Sequence, residues 1–169
     1  MKVTLIAELT ADGFIAKDDA HLSTRWTSKE DSLFFLERAK HAGHMIVGSK
    51  TFATFNRQMK GRKMYVYSRS LEVENAYNND IEVVSLAPKE LIADLAKRGI
   101  EEVLITGGSS IYTLFMNAGV IDTLLLTHEP VIFGTGVTLF NEAVSAKLQL
   151  SLVHNLSDQT KVFEYEVMQ

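Results

Sequence analysis

The sequence predicts an α/β fold, with a mainly parallel central sheet, helices on both faces and an antiparallel hairpin at one edge. Three observations predict it. β-rich runs alternate with helix-like runs along most of the chain, the pattern of parallel strands joined by helical crossovers. Several strands are near-continuous apolar runs, as strands covered on both faces are. The chain ends in two alternating runs, "LQLSLVHNL" and "KVFEYEVM", around Ser157-Asp158, which marks a hairpin. No linker, repeat or low-complexity segment divides the 169 residues, so one domain over 1–169 is expected.

Each element has a local reason. Val3 to Leu9 is aliphatic and β-branched and runs into Asp12-Gly13, giving a buried first strand, with the loop from Asp12 to Arg25 at its carboxyl end. Thr27-Ser28-Lys29-Glu30 has the form of a helix start just after Trp26, and Leu33, Phe35 or Leu36, and Ala39 recur at helical spacing until Gly43. "HMIVG" is a short strand, "SKTFATF" a helical turn, and "KMYVYS" and "IEVVS" are further strands, the last preceded by a loose polar loop from Asn75 to Asp80. Pro88 opens "PKELIADLAKRG", whose Leu91 and Leu95 form an apolar stripe ended by Gly99. "EEVLIT" is a strand, Ser110 to Ala118 a helix closed by Gly119, and "DTLLLTHEPVIF" a long strand region.

Composition excludes several classes. Net charge is −4, with Lys+Arg 17 and Asp+Glu 21 intermixed, so nucleic acid and anionic membrane are not expected partners. Cys 0 excludes disulfides, thiolate catalysis and Cys-ligated metal. The amino terminus is too short and too polar, with Glu8 interrupting it, for a signal peptide, so a cytoplasmic location is expected. The five histidines have no metal-binding spacing, and no G-x-S-x-G elbow is present; no metal is expected.

The chemistry-bearing segments sit where strands meet helices. "VGSKTF" and "TGGSSIY" both follow strands; glycine admits a ligand close to the backbone, and free N–H groups at a helix start attract phosphate. Two such junctions suit one ligand with several phosphates, or are simply two tight turns. Neither fits G-x-G-x-x-G or G-x-x-x-x-G-K-[ST]. "YSRS", with Ser68 and Arg69, and Lys50 with it, could hold a phosphate monoester such as the one that distinguishes NADPH from NADH, or be solvated. Asp31 is either a favourable charge in a first helical turn or, facing a cleft with Phe35 and Ile15, a carboxylate able to grip an aminopyrimidine-type edge.

Taken in order, "VTLIAELTADGFIA", "RWTSKEDSLFF", "MIVGSKTFATF", "GRKMYVYSRS" and "VLITGGSSIYTLF" resemble the dihydrofolate reductase superfamily, which includes the reductase domain of bacterial riboflavin biosynthesis. The resemblance covers nearly the whole chain and implies that family's three-layer fold. It implies an NADPH site in which Gly107, Gly108, Ser109 and Ser110, followed by Ile111 and Tyr112, lie near the pyrophosphate, and in which the double glycine carries a cis peptide. Gly48, Lys50 and Thr51 would approach phosphate, Ser68 and Arg69 the 2′-phosphate, and Ala7 and Ile15 the nicotinamide. Asp31 and Thr127 match the catalytic pair that holds and helps protonate a pterin. Trp26, Phe35 and Arg62 match substrate-binding positions, Phe35 on the ring and Arg62 on a tail carboxylate.

The implied activity is NADPH-dependent hydride transfer to a pterin or dihydrofolate-type C=N bond. A first alternative is reduction of 5-amino-6-(5-phosphoribosylamino)uracil in riboflavin biosynthesis, which requires a phosphate site using Arg25, Arg57 or Arg62. A second is a nucleotide-binding protein without turnover. "LTADGFIA" and "EPVIFGTGVTLF" look more like the riboflavin branch, whereas Asp31 looks like the folate branch. Ser109 stands in place of a third glycine, Ser32 where a bulky apolar residue is usual, and the prolines flanking the Trp segment of folate enzymes are absent. The expected partner is a small molecule, and a homodimer is among the assemblies compatible with the sequence.

Overall fold

Alternation along the first strand sets the layers. In the computed structural model, which describes residues 1–18, 21–70 and 72–168, β1 spans Lys2–Thr10. Val3, Leu5, Ala7 and Leu9 join one core and Ile6 the other, so this strand is covered on both faces. It lies inside an eight-stranded sheet of order β5-β4-β3-β6-β1-β7-β10-β9. The members are β3 (His44–Gly48), β4 (Lys63–Tyr67), β5 (Asp80–Val84), β6 (Glu102–Ile105), β7 (Thr123–Glu129), β9 (Lys147–Asn155) and β10 (Lys161–Met168). β1 and β3 to β7 run parallel; β10 and β9 add the antiparallel edge. β2 (Phe14–Ala16) and β8 (Val137–Thr138) form a separate small ribbon.

Helices α1 (Lys29–Ala42) and α2 (Ser49–Phe52) cover one face, with Ala39, Ala42 and Phe52 against Ile6, Met45, Val47 and Leu125. Helices α3 (Pro88–Lys97) and α4 (Ser109–Asn117) cover the other, where Leu91, Leu95 and Phe115 are fully buried. These are the three layers that the sequence predicts. Burying a side chain such as Leu or Phe contributes about 1.5–3 kcal/mol, and both faces do so along the full width of the parallel strands.

Two local expectations are corrected. The strand expected through "DTLLLTHEPVIF" ends at Glu129, because Pro130 has no N–H to continue the ladder and the chain is captured elsewhere. Asp12 accepts hydrogen bonds from the Phe133 and Gly134 N–H groups, and Ala11 N–H donates to Val131 O. The Thr10 hydroxyl and these N–H groups hold the Asp12 carboxyl below its ordinary range. The Asn75–Asp80 loop is not loose: Asn75 bonds Asn79 through both amide atoms, and buried Asn79 accepts from Met59 N–H. The small β2–β8 ribbon has too short a pattern to be read in advance. Close approach fixes the residue just before β8, since a Cβ on Gly136 would collide with the Ala16 carbonyl.

Candidate active site

Four parallel strands, β1, β3, β4 and β6, end at one cleft of about 1180 Å³, the position where open α/β sheets bind ligands. One wall is built by the two glycine junctions. Gly48 N–H donates to Gly107 O at 2.7 Å, which fastens the end of β3 to the turn after β6. Gly107 has φ +101°, and a Cβ there would lie 3.1 Å from the Tyr112 ring, so glycine is required both by conformation and by space. Tyr112 is itself fixed, donating its hydroxyl to Ile6 O at 2.6 Å. The Gly107–Gly108 peptide is cis.

Gly108 caps α4, and Ile111 and Tyr112 N–H return to its carbonyl. The N–H groups before them have no intrahelical acceptor, so this end of α4 offers an anion two unengaged donors. Ser109 uses its hydroxyl on Thr138 O at 2.8 Å and Leu139 O at 3.2 Å, tying the helix start to the β2–β8 ribbon. Lys50 and Thr51 stand on the wall after Gly48, and Ser68 and the exposed Arg69 on the floor after β4. The glycine cradle, free N–H groups and cations together fit a phosphorylated dinucleotide. Ala7, Ile15, Gly48, Gly107, Gly108, Ser110 and Ile111 line the same cleft, although the Ala7 side chain packs into the core.

The inner end is acidic. Ser28 caps α1, accepting from Asp31 N–H at 3.1 Å, which turns Asp31 inward from the first turn toward Phe35 and Ile15. Asp31 is 3% exposed. Burial raises its carboxyl to about 6, against hydrogen bonding from Thr127 and, less, Thr27; the Glu129 charge adds to the rise. The Thr127 hydroxyl is fully enclosed and has no partner at ordinary hydrogen-bond geometry, although it lies near enough to Asp31 to favour the carboxylate. Thr127 stands directly opposite Glu8 in the β1–β7 register.

Glu8 and Glu129 are the residues that sequence reasoning missed. Glu129 is buried and satisfied, accepting from Ser28 N–H at 2.7 Å and the Thr160 hydroxyl at 2.8 Å. Glu8 opens into the cleft and keeps partial access to its water, while protein encloses it on every other side. Burial, then the Asp31 charge, raises its carboxyl to about 8, with a smaller rise from Glu129; its own backbone N–H opposes them. The available signal was position: a carboxyl in the middle of a central strand otherwise lined by Val3, Leu5, Ile6, Ala7 and Leu9.

Two expected substrate residues are not brought to the cleft. Trp26 lies edge-on to Phe133 at 5.1 Å, supporting the turn beyond β7. Arg62 donates to Leu36 O and Lys60 O, both at 3.0 Å, so its guanidinium is engaged by the backbone of α1 and of its own loop. Burial, and then the nearby Arg57, lowers its proton affinity. Arg57 does line the cleft; Arg25 does not.

The RibD C-terminal domain family model matches residues 1–163. This chain belongs to that family. RibD C-terminal domains are riboflavin-biosynthesis reductase-like members of the dihydrofolate-reductase-like superfamily, so both the fold and the superfamily resemblance are confirmed. An uncharacterized Bacillus subtilis protein, YyaP, is 23% identical over 99% of this chain and 92% of its own length. A pyrimidine reductase-like protein of Corynebacterium diphtheriae has TM-score 0.81 at 17% identity, over 99% of this chain and 92% of that one. RibD of Acinetobacter baumannii has TM-score 0.84 at 18% identity, but this chain spans 58% of its length. The RibD C-terminal domain here has, among its described residues, no helix long and apolar enough to cross a membrane.

Proposed function

We propose that this RibD C-terminal domain is an NADPH-dependent reductase of a phosphoribosylamino-substituted pyrimidine. The observation that carries the reading is one continuous cleft, running from a cradle built on two glycine junctions to the carboxyls of Glu8 and buried Asp31. Gly48, Gly107, Gly108 and the start of α4 would hold the pyrophosphate, with Lys50 and Thr51 beside it and Ser68 and Arg69 at the 2′-phosphate. The bound dinucleotide supplies the hydride. The chain holds the acceptor carbon against it, keeps bulk water away and delivers a proton.

Between substrates, the arginines favour the phosphorylated aminopyrimidine. A folate tail carboxylate would need Arg62, whose fork is engaged on two carbonyls; a phosphate monoester would need Arg57, which stands in the cleft. The Thermotoga maritima structure of similar fold, TM-score 0.77 and 19% identical, is a diaminohydroxyphosphoribosylaminopyrimidine deaminase/5-amino-6-(5-phosphoribosylamino)uracil reductase, of which this chain spans 56%. A binding module without turnover would gain nothing from enclosed carboxyls and an unpartnered hydroxyl, which cost stability. Asp31 beside Thr127 favours a pterin as the second reading.

The test mixes the purified chain with NADPH and either 5-amino-6-(5-phosphoribosylamino)uracil or dihydrofolate, following nicotinamide absorbance. Oxidation with the aminopyrimidine is expected. Oxidation with dihydrofolate alone would transfer the reading to the pterin, and tight NADPH binding with no oxidation in either mixture would refute both.

A further inference from the structure

We infer that Glu8 is the proton donor of the reaction, and that Asp31 is the positioning residue that keeps the proton on it. The inference rests on the reductase reading above and adds a catalytic group to it. On β1 the even-numbered side chains face α1, and Glu8 follows Ile6 on that face at the point where the strand enters the cleft. A carboxyl there can touch a bound ring, whereas Glu129, behind it, is committed to Ser28 and Thr160.

Burial and two neighbouring carboxyls oppose ionisation of Glu8, and its own backbone N–H favours it; three elements face it. From α1 comes Asp31 and from β7 Glu129, both negative, and from α4 the buried Tyr112, whose phenol is pushed up first by burial and then by Glu8 and Asp31 themselves. The cations of the cleft, Lys50, Arg57 and Arg69, are not among the charges acting on Glu8. With two carboxyls sharing one enclosed space, the second cannot ionise as readily as the first. Asp31 has the hydroxyls of Thr127 and Thr27 to favour its anion; Glu8 has only its own backbone N–H. Asp31 therefore takes the charge and Glu8 keeps the proton, and carboxyls with separated proton affinities divide the acid and anionic roles between them.

The step balances. A bound reduced nicotinamide would supply hydride to the C=N carbon of the imine that forms when the ribosylamine ring opens; the π pair would move to nitrogen, and that nitrogen would take the proton of the Glu8 carboxyl. Glu8 is left as a carboxylate and recovers a proton from water at the open side of the cleft.

Two measurements test this. Carboxyl-labelled glutamate, followed by carbon NMR in the ligand-free chain, is expected to show one carboxyl still protonated at pH 7 that is missing from Glu8→Gln. Loss of that proton in the ordinary carboxylate range would overturn the proposal. In turnover, the wild-type rate is expected to fall on the alkaline side as Glu8 ionises. Glu8→Gln should lose about a hundredfold in kcat and lose that pH limb, with NADPH affinity unchanged, while Glu8→Asp restores part of both. Asp31→Asn should move the limb to lower pH. An active Glu8→Gln with the limb intact would overturn the proposal alone; an inactive wild-type chain would overturn the reductase reading.

Discussion

Glu129 ties the start of α1 to the paired strands β7 and β10, and removing it gives a measurable result. Its carboxylate receives the Ser28 N–H of the α1 cap and the Thr160 hydroxyl before β10, both within 2.8 Å, in a residue 4% exposed. Hydrogen bonds to a charged group contribute about 1.5–3 kcal/mol each, and Glu129→Ala leaves both donors without an acceptor. Relief of the repulsion that Glu129 exerts on Asp31 and Glu8 offsets part of the loss. A net destabilisation of about 3 kcal/mol is expected, or a fall in Tm of roughly 6–12 °C for a chain of this size. Urea unfolding followed by circular dichroism measures it, with Glu129→Gln falling between, since an amide oxygen can keep one donor. A loss below about 1 kcal/mol at unchanged denaturant slope would refute the claim that this carboxylate fastens α1 to the sheet.

Other perturbations act nearer the ligand. Gly107→Ala, forced into φ +101° and against the Tyr112 ring, is expected to weaken NADPH binding by at least roughly tenfold, about 1.4 kcal/mol, as read by nicotinamide fluorescence; unchanged affinity would remove Gly107 from the cofactor site. Arg69→Ala should weaken NADPH more than NADH, and equal weakening would show that Arg69 does not meet the 2′-phosphate. Glu8 binds its proton more tightly folded than unfolded, as does Asp31, so the folded chain holds the extra protons. Stability should therefore fall as pH rises, between about 4 and 6 from Asp31 and from 4.5 to about 8 from Glu8. Glu8→Gln should flatten the upper part of that slope in urea titrations at successive pH values; a slope unchanged by the substitution would count against a protonated Glu8.

The layered sheet was legible because its cause is local: aliphatic runs, helix caps at Ser28 and Gly43, and Pro88 at a first turn are all written in adjacent residues. The cleft was legible for a related reason, as glycine junctions at strand ends must gather on one edge once the strands are parallel. Asp31 could be placed only as one of two alternatives, since its direction depends on the Ser28 cap and on Thr127, almost a hundred residues away. Arg62 and Trp26 look like ligand-binding side chains but are recruited by backbone carbonyls and by Phe133. Glu8 was hidden by its neighbours, because an apolar strand reads as core and the carboxyl within it as an interruption. Its meaning comes from Asp31 and Glu129, which no spacing rule relates to it.

The bond from Gly48 N–H to Gly107 O has a consequence for how the chain can change over time. It makes a caliper of the two turns, its gap set by the last bonds of the β3–β6 ladder, Thr106 N–H to Ile46 O and Gly48 N–H to Gly107 O, and not by the loops that connect them. Segments between β3 and β6 can lengthen, shorten or exchange residues while the jaws stay at the same width. A ligand with the wrong spacing between its anionic groups meets a gauge that insertion elsewhere cannot adjust.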